Sequence, residues 1–235
     1  MTNQGKILIV DDEEDIREVV ALALRREKYE TIEAASAEEA LSVLDSTISL
    51  ILLDVMMDGM NGFELATKLR AEGNTIPIVF LTAKTNEADM LKGFGIGGDD
   101  YIRKPFSLKE LTARVKSVIT RSALPLNLAL EKVQAGPITI ETKDKRIIID
   151  GKPVSLTRTE YDILTLLIKN EGRTLQRIDI LGTVWSDSKT VMERTVDVHI
   201  ARLRRKLGPY AYLINNRVGF GYSFRTSPKG DAPKP

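Results

Sequence analysis

Four short apolar runs, each ending on a polar side chain, constrain this chain more than any other feature. Ile7-Leu8-Ile9-Val10 runs into Asp11-Asp12, and Leu50-Ile51-Leu52-Leu53 into Asp54. Ile78-Val79-Phe80-Leu81 runs into Thr82-Ala83, and Asp100-Tyr101-Ile102-Arg103 into Lys104-Pro105. Runs this short and this rich in β-branched residues and leucine form strands buried on both faces. In an open α/β sheet, ligands meet the carboxyl ends of the parallel strands. Three carboxylates, a hydroxyl and an ammonium therefore converge on one cleft.

Clustered carboxylates repel one another and favour a hard cation with oxygen ligands, of which Mg²⁺ suits a small carboxylate set that leaves room for water and phosphate oxygens. A carboxylate is also a nucleophile toward phosphorus, giving an aspartyl phosphate. A lysine and a threonine nearby supply charge and a hydrogen bond to phosphoryl oxygens. Taken singly, Asp11, Asp12 and Asp54 also read as helix N-caps and Lys104 as a surface charge. The ordered set at four strand ends favours phosphoryl chemistry.

The rest of residues 5–121 alternates strand and helix. Ile16, Val19, Val20, Ala23 and Leu24 recur at helical spacing, and Ser36-Ala-Glu-Glu39 and Ser107-Leu-Lys-Glu110 read as capping boxes. Helices are expected from about 62 to 71 and 86 to 97, and the last carries Leu111, Val115 and Val118 on one face. Five such units give a parallel sheet wound on both faces. The run from Ser122 to Gly136, with Pro125 and Gly136-Pro137, reads as a linker, although Leu124, Leu126, Leu128 and Leu130 make it apolar enough to dock on a surface. Beyond it come strands at 138–140, 146–149 and 152–154 with a tight turn at Asp150-Gly151, helices at about 158–169, 175–184 and 191–207, and a hairpin over about 211–225. The expected domains are 1–122, a linker 123–136, a second domain 137–227, and a disordered tail 228–235 rich in Pro, Lys and Gly.

Charge divides with these halves. Residues 1–121 carry 15 Lys+Arg against 21 Asp+Glu, and residues 122–235 carry 19 against 12. An acidic half suits a cation and a basic half a polyanion. No cysteine is present and His199 is the lone histidine, which excludes thiolate and histidine-rich metal sites. With no leader-like N-terminus and no apolar run near membrane length, a cytosolic protein is expected.

In the helix 191–207, Val196, Ile200, Leu203 and Leu207 form one apolar stripe. At 3.6 residues per turn the other side carries Arg194, Val198, Ala201, Arg202 and Arg205, with Arg204 and His199 at its flanks. A basic face on a helix that follows a helix and a turn suits a DNA major groove, although alone it also reads as a solvated surface.

The segments around Asp11-Asp12, Leu-Leu-Asp54-Val-Met-Met-Asp-Gly-Met-Asn-Gly, Leu-Thr82-Ala and Asp99-Asp100-Tyr101-Ile-Arg-Lys104-Pro105-Phe106 resemble a bacterial response-regulator receiver domain. The C-terminal half, through Arg194-Thr-Val-Asp-Val-His-Ile-Ala-Arg-Leu-Arg-Arg-Lys-Leu207, resembles the winged-helix output domain of the OmpR/PhoB subfamily. The resemblance implies a flavodoxin-like receiver followed by an α+β winged helix-turn-helix domain. It implies that Asp54 takes a phosphoryl group from a sensor histidine kinase, and that Asp11, Asp12, Asp54 and the Met56 carbonyl hold Mg²⁺. Lys104 would pair with the phosphoryl group across a cis Lys104–Pro105 bond. Thr82 would move onto it and Tyr101 would turn inward behind it. Dimerisation would pair Lys92 with Glu110, and Asp99 and Asp100 with Arg114 and Arg121, across a two-fold axis. On double-stranded DNA, Val198 would meet a thymine methyl and Arg202 a guanine, with Arg194, His199 and Arg204 on phosphates and Arg205 and Arg217 completing the set. Two directly repeated half-sites and RNA polymerase are the implied partners, with no membrane.

Three positions depart from the family pattern. Asp58 stands where proline is usual, and Ala201 where a basic residue is common. The wing reads Arg217-Val218-Gly219-Phe220-Gly221-Tyr222, with its arginine one position early. A phosphatase would need an acidic residue two positions after its nucleophile, and that position is Met56, so no turnover enzyme is expected. A DNA-binding factor with a phosphorylation-independent receiver is the remaining alternative, against which the complete set Asp11, Asp12, Asp54, Thr82 and Lys104 argues.

Overall fold

The computed structural model describes residues 4–83, 87–121, 132–185 and 191–226, and these fall into two compact units. The apolar linker leucines, Asn86 and the tail 228–235 lie outside the described residues.

In the first unit the strands are β1 (Lys6–Val10), β2 (Glu30–Ala34), β3 (Ile48–Asp54), β4 (Ile78–Thr82) and β5 (Asp100–Arg103). The intervening helices are α1 (Glu14–Arg26), α2 (Ala37–Val43), α3 (Gly62–Ala71), α4 (Glu87–Ile96) and α5 (Leu108–Arg121). The sheet is wholly parallel in the order β2-β1-β3-β4-β5. Alternation along each strand splits its apolar side chains between two layers. Ile7, Ile9, Leu50, Leu52, Val79, Leu81 and Ile102 pack with Val20, Leu24, Leu111, Val115 and Val118. The opposite face meets α2 and α3, where Leu8, Ile51, Ala40, Leu65 and Leu69 surround a small apolar gap. Val19 of α1 faces solvent and Ala21 faces the core, so the buried stripe sits slightly rotated from the expected one.

Only half of each expected capping box forms. Ser36 Oγ accepts from Glu39 N–H and Ser107 Oγ from Glu110 N–H, each at 3.1 Å. The Glu39 carboxylate reaches past Ser36 to Ala35 N–H, and the Glu110 carboxylate turns to Arg114. A complete box starts α3, where Asn61 caps Glu64 N–H and Glu64 answers at Asn61 N–H. Gly62, the first residue of α3, packs so tightly on the end of β3 that a Cβ there would stand 2.0 Å from the Asp54 carbonyl oxygen.

The second unit opens with an antiparallel sheet of β6 (Lys132–Ala135), β7 (Ile138–Glu141), β8 (Arg146–Ile149) and β9 (Lys152–Val154). β6 lies inside the segment expected to be linker, and corrects that boundary. Its Val133 faces Ile140 and its Ala135 faces Ile138 across the ladder, pairings that no local periodicity of Lys-Val-Gln-Ala announces. Asp150 and Gly151 both have positive φ, as a tight β8–β9 turn requires. Then follow α6 (Arg158–Lys169), α7 (Arg177–Val184), α8 (Glu193–Leu207), a 3₁₀ turn over Gly208–Leu213, and the hairpin of β10 (Ile214–Arg217) and β11 (Gly221–Phe224). Thr157 and Glu160 form a complete capping box at α6, and Leu175 bridges to Tyr222 beside the hairpin. Among the described residues no helix is long and apolar enough to cross a membrane.

A methyl group at position 62 has nowhere to go without moving backbone, because the atom it meets is a carbonyl at the end of a central strand. Gly62→Ala should cost the first unit roughly 1–3 kcal/mol, as overpacking does. Thermal unfolding followed by circular dichroism checks this, and a variant as stable as the parent would show that α3 is not pinned to β3.

Candidate functional site

Sheet register assembles the first site. Val10 pairs with Leu53, so the next residues, Asp11 and Asp54, leave β1 and β3 at one level. Thr82 pairs with Arg103, and Lys104 N–H reaches the Thr82 carbonyl at 2.7 Å, which sets Lys104 beside them. Asp11 and Thr82 are fully buried and Asp54 is nearly so, while Asp12 is exposed. The Lys104 ammonium lies 2.8 Å from Asp11 Oδ2, 2.9 Å from Asp54 Oδ2 and 3.2 Å from Glu13 Oε1. Asp54 Oδ1 accepts from Met56 N–H, Asp11 Oδ1 from Glu13 N–H, and Asp12 Oδ2 from Asp58 N–H.

The ionisation equilibria follow from this geometry. Burial pushes the Asp11 carboxyl up, helped by the Asp54 charge and opposed by its hydrogen bond to Lys104. Burial alone would lower Lys104, but hydrogen bonds to Asp11 and Asp54 outweigh it and hold the ammonium above its ordinary value. Each of Asp11, Asp12 and Asp54 offers an oxygen within 4.8 Å of the other two. Three hard oxygen donors with one exposed member suit a small divalent cation such as Mg²⁺. Arg17, a residue absent from the expected site, donates to the backbone carbonyls of Asp11 at 2.8 Å and Asp12 at 3.1 Å, and so holds the loop that carries both carboxylates. Its place in the first turn of α1, right after the acidic loop, is the signal by which the sequence could have shown it.

Behind the site, Tyr101 lies inward, its ring 6.1 Å from Phe80 and 6.3 Å from Phe94. The inward position expected to follow phosphorylation is thus already occupied in the unmodified chain. Burial pushes its phenol up, against the lowering influence of the Thr82 hydroxyl.

The charges expected to meet a second copy are largely engaged at home. Arg114 is buried, 3.4 Å from the buried Asp100, and pairs with Glu110 one turn away at 2.9 Å. Asp99 is buried too. It accepts from Ile78 N–H and faces Arg70 at 3.6 Å, while Arg70 also donates to the Gly97 carbonyl. Within one chain, then, Asp99 faces Arg70, and Asp100 and Arg114 are buried together. Lys92 is exposed, with its ammonium 5.1 Å from the centre of the Phe63 ring, and Glu110 keeps an exposed edge. The side chain of Arg121 lies outside the described residues.

In the second unit the apolar stripe Val196, Ile200, Leu203 and Leu207 is buried as expected. His199 is buried as well, its ring 5.3 Å from Trp185, which corrects its placement on a groove flank. Helical phase explains the error, since position 199 lies only about 70° from the centre of the buried stripe. Arg202 also has a partner within the domain. Its Nε donates to Glu160 Oε1 at 2.8 Å, and Lys206 reaches Glu160 Oε2 at 2.6 Å. Burial alone would raise the fully buried Glu160 carboxyl, but Lys206 and Arg202 hold it below its ordinary value. On the other flank Arg177 and the Tyr222 hydroxyl both donate to Asp197 Oδ1, at 2.7 and 2.6 Å. Arg204 donates to the Ile214 carbonyl at 2.8 Å and lies over the Tyr222 ring. Arg194, Ala201 and Arg205 are exposed and Val198 half-buried, at spacings of four, three and four residues. Arg217 is exposed at the end of β10, and Val218 stands at the place expected of the wing arginine.

A parallel five-stranded sheet with an acidic pocket and a lysine at its strand ends, and a second unit with a helix clamped beside a hairpin, define a two-domain regulator. Residues 7–116 match the response regulator receiver domain, and residues 151–224 match the C-terminal domain of transcriptional regulatory proteins. The chain is 43% identical over 224 residues to the phosphate regulon transcriptional regulatory protein PhoB of Pseudomonas aeruginosa, covering 94% of this chain and 97% of that one. It is 38% identical to the transcriptional regulatory protein ResD of Bacillus subtilis, covering 95% and 97%. Among solved structures, a RitR mutant superposes with a TM-score of 0.75 at 26% identity, covering 95% of this chain and all of that one. DrrB of Thermotoga maritima, an OmpR/PhoB homologue, gives 0.51 at 28%, covering 94% and 99%. The chain belongs to the OmpR/PhoB family of two-component response regulators, with a receiver domain and a DNA-binding output domain.

Glu160 holds the start of α6, Arg202 and Lys206 together, so Glu160→Gln should cost the output domain about 3 kcal/mol at neutral pH. A lowered folded pKa gives stability that is complete above the ordinary glutamate value of 4.5 and is lost as pH falls through the folded value. The variant's stability should therefore fall less steeply than the parent's in acid. Trp185, the only tryptophan, reports this domain in denaturant titrations; parallel acid limbs would refute the assignment.

Proposed function

We propose that this regulator is switched by phosphorylation of Asp54 and acts on transcription by binding DNA in a sequence-dependent way. The observation that carries the reading is the Lys104 ammonium bound at once to Asp11 and Asp54, because it marks where negative charge is to be held. The Asp54 carboxylate forms a bond to phosphorus as the phosphorus–nitrogen bond of a kinase phosphohistidine breaks. Asp11, Asp12, Asp54 and the Met56 carbonyl would hold Mg²⁺, which would supply positive charge opposite the transferring phosphoryl group. Lys104 then exchanges a carboxylate partner for a phosphoryl oxygen, and the Thr82 hydroxyl turns from Tyr101 toward the same group. Asp58, joined through its N–H to Asp12, adds negative charge at the rim and weakens retention of the phosphoryl group.

On the output side the stripe Arg194, Val198, Ala201 and Arg205 is the groove-facing surface. Glu160 orients Arg202 through Nε and the Ile214 carbonyl orients Arg204 through Nε and Nη2, and each guanidinium has further N–H donors with which Arg202 would meet a guanine and Arg204 a phosphate. With no basic side chain at Ala201, Arg194 and Arg205 supply the phosphate contacts of the exposed stripe of α8. Direct-repeat half-sites and a two-fold receiver dimer complete the proposal, the dimer pairing Lys92 with Glu110, and Asp99 and Asp100 with Arg114 and Arg121, across the axis.

Incubation with acetyl phosphate and Mg²⁺ should place one phosphoryl group on the parent chain and none on Asp54→Asn, read by intact mass, and should raise the parent's affinity for duplexes it selects from a random pool. Equal label on both chains sinks the site, and DNA binding indifferent to the label favours the phosphorylation-independent reading.

For the dimer, Lys92→Glu and Glu110→Lys should each weaken association of the phosphorylated chain, and the double exchange should restore it by re-forming the pair with reversed sign. Sedimentation that shows no recovery in the double variant removes this pair from the interface.

A further inference from the structure

The two most exposed large apolar side chains among the described residues lie together in one turn. Val218 is 87% and Phe220 is 68% exposed, either side of Gly219 at the tip of the β10–β11 hairpin. The turn is closed by Phe220 N–H on the Arg217 carbonyl at 2.8 Å, and Gly219 has a positive φ of 80°, so the tip is built. Isolated exposed apolar residues are ordinary, but a valine and a phenylalanine presented together on a hairpin end expose surface that a partner would cover.

The charge around the tip says which partner. Arg217 is exposed beside it, and Arg177 and Arg204 lie over the ring of Tyr222 at its base. Within the same hairpin the Tyr222 hydroxyl is bound to Asp197, the residue before Val198 of the exposed α8 stripe. The hairpin therefore adjoins the surface assigned above to the major groove, at a spacing fixed by a hydrogen bond. An apolar tip with a cationic shoulder, next to a major-groove helix, is suited to the adjacent minor groove, where apolar wedges enter between base pairs and unstack them.

We propose that Phe220, supported by Val218, is a wedge that enters the DNA minor groove beside each half-site and partly unstacks one base step. Sequence preference there comes from how readily the step opens, with flexible pyrimidine–purine steps favoured. This rests on the DNA-binding reading of the output domain. Arg217 contributes a phosphate contact and no base preference.

The full chain is titrated against a duplex that it selects from a random-sequence pool, carrying 2-aminopurine at successive positions flanking the half-sites. The parent should brighten the probe at one step per half-site. Phe220→Ala should abolish the brightening and weaken binding about tenfold, with the slope of log affinity against log salt unchanged. Phe220→Leu should restore most of both. Arg217→Ala should keep the brightening and reduce the slope by about one counterion. A parent that selects and binds a duplex but leaves every probe dark overturns the wedge alone. The wedge is equally overturned if Phe220→Ala binds and brightens as the parent does, which would assign the tip to a protein partner. A parent that selects no duplex overturns the DNA reading itself. Because the tip is exposed, Trp185 fluorescence should confirm an intact domain in each variant.

Discussion

Two buried carboxylates at the ends of neighbouring strands are tolerable in this fold because one ammonium stands between them. Asp11 and Asp54 lie at the same level of the sheet with almost no solvent, and burial and the Asp54 charge raise the Asp11 carboxyl against the pull of Lys104. The lysine arrives on β5, two strands from Asp54, only because β4 lies between them and the register of β4 on β5 is fixed at Thr82 and Arg103. The strand order, the register and the site are thus one constraint. A strand displaced by one residue would turn its terminal side chain to the other face and leave a carboxylate buried without its counter-ion. The parallel sheet that buries apolar side chains on both sides also aims its polar ends at one spot.

The output domain solves a different problem, how to hold a strongly charged helix in place without covering it. The apolar stripe supplies adhesion. Ion pairs at the two flanks supply rotation control, Glu160 with Arg202 and Lys206 on one side, Asp197 with Arg177 and Tyr222 on the other. The burial of Glu160 makes its flank the stiffer, because separating those charges costs more in a dry surrounding than in water. Basic residues at the flanks take part in these pairs, while Arg194 and Arg205 between them stay exposed, where a polyanion can reach them.

What the sequence disclosed and what it withheld divide along a physical line. Strands β1, β3, β4 and β5 and helix α3 were readable because a run of apolar residues, a strand-end carboxylate or a cap is a local signal. The acidic pocket was readable because its residues sit at the same point of successive repeats of one pattern. Partners distant in sequence were not. Arg202 follows its buried partner Glu160 by 42 residues, and Asp99 meets Arg70 from another element, whereas the Glu110–Arg114 pair lies at the local i,i+4 spacing. His199 failed for a simpler reason, since a side chain at the edge of a helical stripe is buried or exposed according to what stands opposite, here Trp185. β6 was missed because four mixed residues become a strand only when β7 offers an edge.

The double clamp on α8 separates two kinds of change available to this protein. Positions 194, 198, 201 and 205 lie outside both the apolar stripe and the two clamps, so their side chains can be exchanged while the helix keeps its seat. Positions 160, 197, 202 and 222 cannot vary singly without loosening it. On the proposed DNA-facing assignment, target preference can change through one narrow column of residues while the machinery that presents the column stays as it is.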